Sequence, residues 1–167
     1  MHAAAHEFVA RQVAERGPFA RVVEIGSRDI NGSIRSIFAA DALVYVGLDL
    51  YPGPGVDWVG DARDYGDGQT GFAECVVCCE VLEHSPTWPG LMRHAASWLA
   101  PGGVLIVTCA APGRRDHSAI DGGRLQPGEH YCNVPAIRVA DVLTGAGLDV
   151  VESHEVNRDT QVVAVRR

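Results

Sequence analysis

The spacing of apolar residues divides the chain into alternating helical and extended segments. Near the start, four apolar residues recur at helical spacing: Ala5, Phe8, Val9 and Val13. The Gly17-Pro18 pair that follows is a strong helix breaker. The pattern therefore predicts an N-terminal amphipathic helix within residues 1–17, and we expect it to pack over a sheet.

Seven apolar runs without the helical period predict β-strands: 21–25, 43–49, 56–59, 74–79, 104–109, 148–156 and 160–165. The run 74–79 is almost continuously apolar, as is typical of a central parallel strand covered on both faces. Helical patterns separate the earlier strands at 33–40, at 88–99 and from Pro135 onward, the last with Ile137, Ala140 and Leu143 facing inward.

Strands that alternate with helices predict a mostly parallel sheet in an α/β fold. The two closing strands are joined only by Asn157-Arg-Asp159, which predicts a hairpin and hence one antiparallel strand. Residues 110–133 form the longest stretch without periodicity, and a loop of this length inside a compact domain is usually functional or mobile. We expect residues 1–167 to form a single domain.

The amino-acid composition limits the kinds of partner and the cellular compartment that we expect for this protein. The formal net charge is −7 and all 14 basic residues are arginines, which argues against a nucleic-acid partner bound through a basic surface. Of the five cysteines, Cys75, Cys78 and Cys79 lie in an apolar strand, where cysteine is usually a small buried side chain. Neither a signal peptide nor a membrane span is indicated. We expect a cytoplasmic protein with no membrane partner, and its oligomeric state stays open.

A strand that turns into a helix through a single glycine is the first candidate binding element. Glu24-Ile-Gly26 ends the first predicted strand, and a turn of this kind gathers backbone N–H groups at one point. The second strand ends in Asp49, about twenty residues further on, where such folds hold a ribose. The two elements together predict a nucleoside-containing ligand.

Five motifs occur in the same order as in a known family: Glu24-Ile-Gly26, Gly47-Leu-Asp49, Gly60-Asp61-Ala62, Cys78-Cys-Glu-Val-Leu-Glu-His84 and Leu99-Ala-Pro-Gly-Gly103. Over residues 20–167 the chain resembles the class I S-adenosylmethionine-dependent methyltransferases. The resemblance implies a Rossmann-like, doubly wound, mostly parallel seven-stranded sheet with one antiparallel strand from the C-terminal hairpin. It also implies a transferase that uses S-adenosyl-L-methionine as its cofactor.

The resemblance also assigns cofactor-binding residues: Glu24, Gly26, Ser27, Arg28, Asp49, Leu50, Asp61, Ala62 and Glu80. It implies that Glu24 orients the ammonium end, that the loop from Gly26 to Arg28 lies under the methionine part and that Glu80 lies beside the reactive methyl. Asp49, with Leu50 next to it, would hold the ribose, and a carboxylate suits a diol. Asp61 and the Ala62 N–H would bind the adenine. Family members usually carry Gly-x-Gly-x-Gly, whereas Gly26-Ser-Arg-Asp-Ile30 keeps only the first glycine, so the path of this loop stays open.

Methyl transfer needs positioning and, for a protonated acceptor, a base, and histidine suits that task near neutral pH. We expect His84 and His130 to be the catalytic residues. His117 and Tyr131 lie in the 110–133 loop and are expected to contact a small-molecule acceptor in a substrate loop across the mouth of the site.

A metal site is the alternative use of one motif. Glu80, Glu83 and His84 stand at i, i+3 and i+4, so a helical turn would place two carboxylates and an imidazole on one side, where they could hold Mg²⁺ or Mn²⁺. The same run also serves simply to end a strand. No metal is therefore predicted from the sequence.

Two other functions remain open at this point. The single glycine of the first loop is compatible with a non-catalytic cofactor-binding or partner module on the same fold. A nicotinamide oxidoreductase shares the strand, glycine and helix opening, but the chain lacks the second and third glycines of that class and ends in a hairpin.

Overall fold

A computed structural model of the chain describes residues 3–66 and 68–167. Its regular elements, in chain order, are α1 (Ala3–Arg16), β1 (Arg21–Ile25), α2 (Arg35–Phe38), β2 (Val44–Asp49), β3 (Trp58–Val59), β4 (Ala73–Cys79), α3 (Trp88–Trp98), β5 (Leu99–Ala110), α4 (Ala136–Gly145), β6 (Leu148–Val156) and β7 (Asp159–Arg166). Single 3₁₀ turns at Ala62–Asp64 and Leu82–His84 follow β3 and β4. Residues 1 and 2 of the predicted N-terminal segment lie outside the described part.

The strands form one seven-stranded sheet in the order β3-β2-β1-β4-β5-β7-β6. The first five strands in sequence run parallel to one another, and β7 runs antiparallel to both of its neighbours, β5 and β6. The order reverses direction between β1 and β4, so the loops after these two strands diverge and leave a crevice at their carboxyl ends. The predicted doubly wound sheet with one reversed strand is confirmed.

Alternating residues of β4 supply both layers of the core. Val76 and Cys78 face a cluster that includes the apolar side of α3, while Cys75 and Val77 face a second cluster with α1 and α2. Burial on both faces explains why this strand is apolar without alternation. The cysteines predicted to be buried are fully buried free thiols.

Helix α1 packs on the sheet as predicted, with Phe8 and Val9 in the core. On β6, the Glu152 carboxylate accepts hydrogen bonds from Arg11 at 2.9 Å, Gln12 at 2.9 Å and Arg16 at 3.1 Å. The side-chain bond from Arg11 is the main cause that lowers the pKa of Glu152 to about 2. The helix is thus joined to the reversed end of the sheet by polar as well as apolar contacts.

Two elements differ from their predicted extents. The helix expected over 33–40 is the single turn Arg35–Phe38, because the N–H groups of Ala39 and Asp41 bond three residues back, to Ser36 and Phe38, and so tighten and end the helix. The strand expected at 104–109 begins earlier: Ala73 pairs with Leu99 and Cys75 with Val104, so residues 100–103 form a bulge within β5. In the described residues no helix is both long enough and apolar enough to span a bilayer.

Candidate active site

A cavity of about 670 Å³ lies at the carboxyl edge of the sheet. It is bounded by the ends of β1, β2, β3 and β4 and by the loop that follows β5. All nine predicted cofactor-binding residues line it, as do His84 and His117. His130 and Tyr131 are not among its lining residues. One enclosed volume therefore joins the predicted cofactor residues to part of the predicted catalytic group.

The loop after β1 turns sharply at Gly26, whose φ is +78°. A Cβ added at Gly26 would lie 2.2 Å from Cγ2 of Val81, so this position accepts only glycine. The N–H groups of Gly26 and Ser27 both donate to the carbonyl of Leu48, at 2.8 and 3.0 Å. The loop therefore runs back against β2, and these two N–H groups are engaged within the protein.

Asp49 holds the same loop from the other side. One carboxylate oxygen accepts a hydrogen bond from the Arg28 N–H at 3.2 Å and the other accepts from the Tyr51 N–H at 3.0 Å. Asp49 is partly exposed and lines the cavity. Each oxygen of a carboxylate can accept more than one hydrogen bond. The carboxylate is thus oriented by the backbone and keeps acceptor capacity toward the cavity.

Asp61 lies two residues beyond the end of β3 and caps the first 3₁₀ turn by accepting a hydrogen bond from the Arg63 N–H at 2.9 Å. The guanidinium of Arg63 also binds both oxygens of this carboxylate, and that side-chain bond is the main cause that lowers the pKa of Asp61. Ala62 is buried against the cavity. A ligand that bonds the Asp61 carboxylate must compete with Arg63 for it.

Glu24 lies in β1 and is 3% exposed. Its Oε2 accepts a hydrogen bond from the Tyr45 hydroxyl at 2.7 Å. Burial raises the pKa of Glu24 to about 7, although the Tyr45 bond opposes the shift. A cationic group placed beside Glu24 in the cavity would favour the ionised form of this carboxyl group and lower its pKa again.

Glu80 follows β4 with a φ of +60°, a strained value for a non-glycine residue. Its Oε1 accepts a hydrogen bond from the Thr108 hydroxyl at 3.1 Å, and its Oε2 lies 2.6 Å from Arg114. Arg114 also pairs with Asp159 at 2.8 Å. The sequence did not single out Arg114, although an arginine four residues after the end of a buried strand was an available signal.

The 3₁₀ turn Leu82–His84 directs two further groups toward the site. Glu83 is fully buried, and its Oε1 accepts a hydrogen bond from the Ala110 N–H at 3.1 Å. Burial, and then the charge of Glu80, raises the pKa of Glu83 to about 8. Burial, and then the nearby His117, lowers the pKa of His84 to about 4. At neutral pH the His84 imidazole is therefore uncharged.

Three rings from separate segments pack edge to face beside the cavity. The ring centre of His84 lies 4.9 Å from that of His117 and 5.4 Å from that of Tyr131, and the latter two rings are 5.1 Å apart. The Tyr131 hydroxyl donates to the carbonyl of Arg115 at 3.1 Å. Tyr131 thus supports the histidines from behind the cavity wall.

His130 lies one residue before Tyr131 in the chain but does not line the cavity. Its Nε2 is buried and has no hydrogen-bond partner among the described residues. The surrounding loop is organised by Glu129, whose carboxylate accepts hydrogen bonds from the Ser118 hydroxyl and the Ala119 N–H at 2.9 and 3.0 Å. The structure brings His84 and His117 together and leaves His130 behind them.

The cavity fits a nucleoside with a charged amino-acid end. The Ser27 hydroxyl oxygen is buried against the cavity without a hydrogen-bond partner among the described residues, and the neutral Glu24 carboxyl lines the same wall. Asp49 at the end of β2 and Asp61 just after β3 line the same cavity. Unsatisfied buried polar groups of this kind are usually completed by a ligand or water.

A sheet of this order with a ligand cavity at the carboxyl ends of β1 to β4 defines the class I methyltransferase type of Rossmann-like protein. The family model described as a methyltransferase domain matches residues 1–153. The chain belongs to this family of S-adenosylmethionine-dependent methyltransferases, which confirms the predicted family, transferase class and cofactor.

Individual relatives agree with this assignment. The chain is 31% identical over 114 residues to a ubiquinone biosynthesis O-methyltransferase from Xanthomonas axonopodis pv. citri (strain 306), a match that covers 61% of this chain and 47% of the relative. The matched region thus spans about half the length of that curated relative.

Two solved structures share the fold. A 1,6-didemethyltoxoflavin-N1-methyltransferase from Burkholderia thailandensis superposes with a TM-score of 0.73 at 18% identity, covering 98% of this chain and 78% of that one. The magnesium protoporphyrin IX methyltransferase of Synechocystis PCC 6803 gives 0.67 at 24% identity, covering 98% and 82%. At these identities the likeness concerns the fold.

Proposed function

We propose that the protein transfers the methyl group of S-adenosylmethionine to a small-molecule acceptor bound in the cavity at the carboxyl edge of the sheet. The observation that carries this proposal is that one cavity is lined both by Asp49 and Asp61, which follow β2 and β3, and by His84 and His117, which follow β4 and β5. A nucleoside held by the acids leaves the histidine side for the acceptor.

The proposed roles of the cofactor residues follow from their surroundings. Glu24, buried and held neutral at about pH 7, ionises when the ammonium group of the cofactor lies beside it. Asp49 accepts from the ribose hydroxyls with the acceptor capacity that its two backbone bonds leave. Asp61 accepts from the adenine amino group after Arg63 releases it.

When bound, the cofactor supplies an activated methyl group on a sulfonium centre. The chain then has to align the acceptor with that group and receive its proton. His84 is uncharged at neutral pH because burial lowers its pKa to about 4. Such a weak base is sufficient for a hydroxyl acceptor, because the hydroxyl proton becomes strongly acidic as its oxygen gains the methyl group.

The acceptor class is supported by the relatives. The curated relative is named for O-methylation in ubiquinone biosynthesis, and one structural neighbour was solved with 1,6-didemethyltoxoflavin bound. The loop between β5 and α4 is the proposed substrate loop, with His117 among the residues that line the cavity and Tyr131 packed against His117. His130 remains a candidate for contact with the acceptor if the loop rearranges.

Binding of S-adenosylhomocysteine tests the cofactor half of the proposal. We expect Asp49→Asn to weaken binding measured by titration calorimetry by about tenfold or more, because a hydrogen bond to a charged group contributes about 1.5–3 kcal/mol. Asp141→Asn, an exposed carboxylate on α4, is the matched control and should leave the dissociation constant unchanged. Equal affinity of the Asp49 variant and the wild type would contradict the assignment.

A second candidate function is a non-catalytic module that binds the same cofactor. It is favoured by the engaged N–H groups of Gly26 and Ser27, which leave less backbone for the methionine part. Methyl release on pooled metabolites distinguishes the two functions. Turnover that falls in His84→Ala supports transfer, whereas tight cofactor binding without turnover on any pool supports the module.

A further inference from the structure

Three side chains from two segments of the active-site edge form a compact cluster. Glu83, His84 and His117 each offer one ligand atom, and these atoms lie within 4.8 Å of one another. Glu83 and His84 belong to the 3₁₀ turn after β4, and His117 belongs to the loop after β5. The cluster therefore exists only in the folded chain.

The free atoms of this cluster point to a missing partner. Glu83 is fully buried, and its Oε2 has no hydrogen-bond partner among the described residues, while its Oε1 is held by the Ala110 N–H. Nδ1 of His84 is likewise buried without a partner. A buried carboxylate oxygen and an imidazole nitrogen left unsatisfied side by side are costly unless something binds both.

The third ligand has a fixed orientation. Nδ1 of His117 lies 3.4 Å from the carbonyl oxygen of Arg115, and a carbonyl accepts only from a protonated nitrogen. In the tautomer that donates from Nδ1 to this carbonyl, Nε2 of His117 carries the lone pair. A histidine whose second nitrogen donates to a backbone carbonyl is the usual arrangement of a metal-binding imidazole, and Glu83 is held in the same way through Oε1.

We propose that Glu83, His84 and His117 bind one divalent transition-metal ion, with Zn²⁺ the best match. Two imidazoles and one carboxylate suit Zn²⁺, whereas Mg²⁺ prefers oxygen ligands and keeps most of its water. The ligand set differs from the i, i+3, i+4 trio considered from the sequence, because Arg114 binds the carboxylate of Glu80 and His117 supplies the third group instead.

The position of the ion adds a role that rests on the proposed function. His84 and His117 line the cavity, so a coordination position not used by the protein faces the acceptor side. An ion there would bind and polarise an acceptor oxygen, and this would replace the proposed proton transfer to His84, because the ion would occupy the lone pair of that imidazole. Acceptors with a metal-binding oxygen would then be favoured over purely apolar ones.

Titration calorimetry with ZnCl₂ tests the site on protein dialysed against a chelator, without cofactor or acceptor. We expect one ion per chain with a dissociation constant in the micromolar range or tighter. Glu83→Gln keeps the acceptor for the Ala110 N–H, and His117→Ala lies in a loop, so both variants are expected to fold, which circular dichroism checks. Each should lose roughly tenfold or more in affinity, since even outer-shell changes cost that much.

Two matched controls identify other sources of binding. His154→Ala removes a histidine on β6 that packs on Phe8, and Cys132→Ser removes the half-buried thiol; both should bind Zn²⁺ like the wild type. No stoichiometric binding, equal affinity in Glu83→Gln and His117→Ala, or loss confined to Cys132→Ser would each overturn the proposal. Because the readout needs no cofactor, failure here is distinct from failure to bind S-adenosylhomocysteine.

Discussion

Replacing Glu24 by glutamine tests whether the carboxyl group of β1 is held neutral in the folded protein. Glu24 is buried, with the Tyr45 hydroxyl as a hydrogen-bond donor, and burial raises its pKa from 4.5 to about 7. An acid with a raised pKa binds its proton more tightly in the folded state than in the unfolded state. Its stabilising contribution is therefore complete below about pH 4.5 and is lost as the pH rises through 7.

The size of the effect follows from the shift. A change from 4.5 to about 7 corresponds to about 3 kcal/mol, since one pKa unit is about 1.4 kcal/mol. Glutamine has the same shape and does not titrate. The free energy of unfolding of Glu24→Gln, relative to the wild type, should therefore rise by about 3 kcal/mol between pH 4.5 and 7 and then level off.

Urea unfolding followed by circular dichroism at several pH values between about 5 and 8 measures this difference. Glu83 and His84 titrate in both proteins, so their contributions cancel in the comparison. Tyr45→Phe removes the hydrogen bond that lowers the pKa of Glu24, so the wild-type transition should move to higher pH in that variant. A difference between Glu24→Gln and the wild type that stays constant with pH would refute a neutral buried carboxyl.

Two further predictions concern the loops around the cavity. Gly26→Ala should destabilise the protein by about 2–4 kcal/mol in urea unfolding, because alanine disfavours the positive φ and its Cβ would meet Val81. Gly145→Ala, at an open helical position, is the control and should be neutral or slightly stabilising. Equal effects of the two substitutions would contradict this prediction. Glu129→Ala should speed hydrogen exchange at the Ala119 amide while the global unfolding transition stays where it is in the wild type. Unchanged exchange would show that the loop does not depend on that carboxylate.

The sequence predicted those parts of the site that depend on regular structure. Asp49 ends β2 and Asp61 follows the end of its parallel neighbour β3 by two residues. The carboxyl ends of parallel strands meet at one edge of a sheet, so their common placement followed from strand assignment. The apolar run 74–79 likewise identified the central strand. These inferences needed only the period of the apolar residues.

The side chains whose contacts could not be predicted from the sequence lie in a loop, where apolar residues have no regular spacing. Arg114 reaches Glu80, and His117 reaches His84, across loops whose path no spacing rule fixes. His130, in the same aperiodic loop, is not among the residues that line the cavity.

One helical face was also predicted incorrectly. Ile137 was expected to face inward, but it is 64% exposed, and the buried residues of α4 are Ala136, Val139 and Leu143. Both triplets satisfy helical spacing, and they differ by a small rotation of the helix. Which of the two triplets is buried depends on the side of α4 that packs on the sheet, and the spacing of apolar residues alone does not determine that side.

The reversed strand β7 connects the fold to the proposed substrate loop. Residues Asn157 and Arg158 both have positive φ, as a tight hairpin requires, and this turn places Asp159 and Thr160 beside the carboxyl end of β5. There the Arg158 carbonyl accepts a hydrogen bond from the Ala111 N–H at the start of the loop.

The hairpin also holds the far end and the interior of that loop. The Thr160 hydroxyl donates to the carbonyl of Val134 at 2.6 Å, and the Asp159 carboxylate binds Arg114, which in turn binds Glu80. The hairpin turn and the start of β7 therefore hold both ends of the proposed substrate loop and its residue Arg114. Since His117 lies only three residues beyond Arg114, these contacts limit where His117 can lie relative to the cofactor-binding residues.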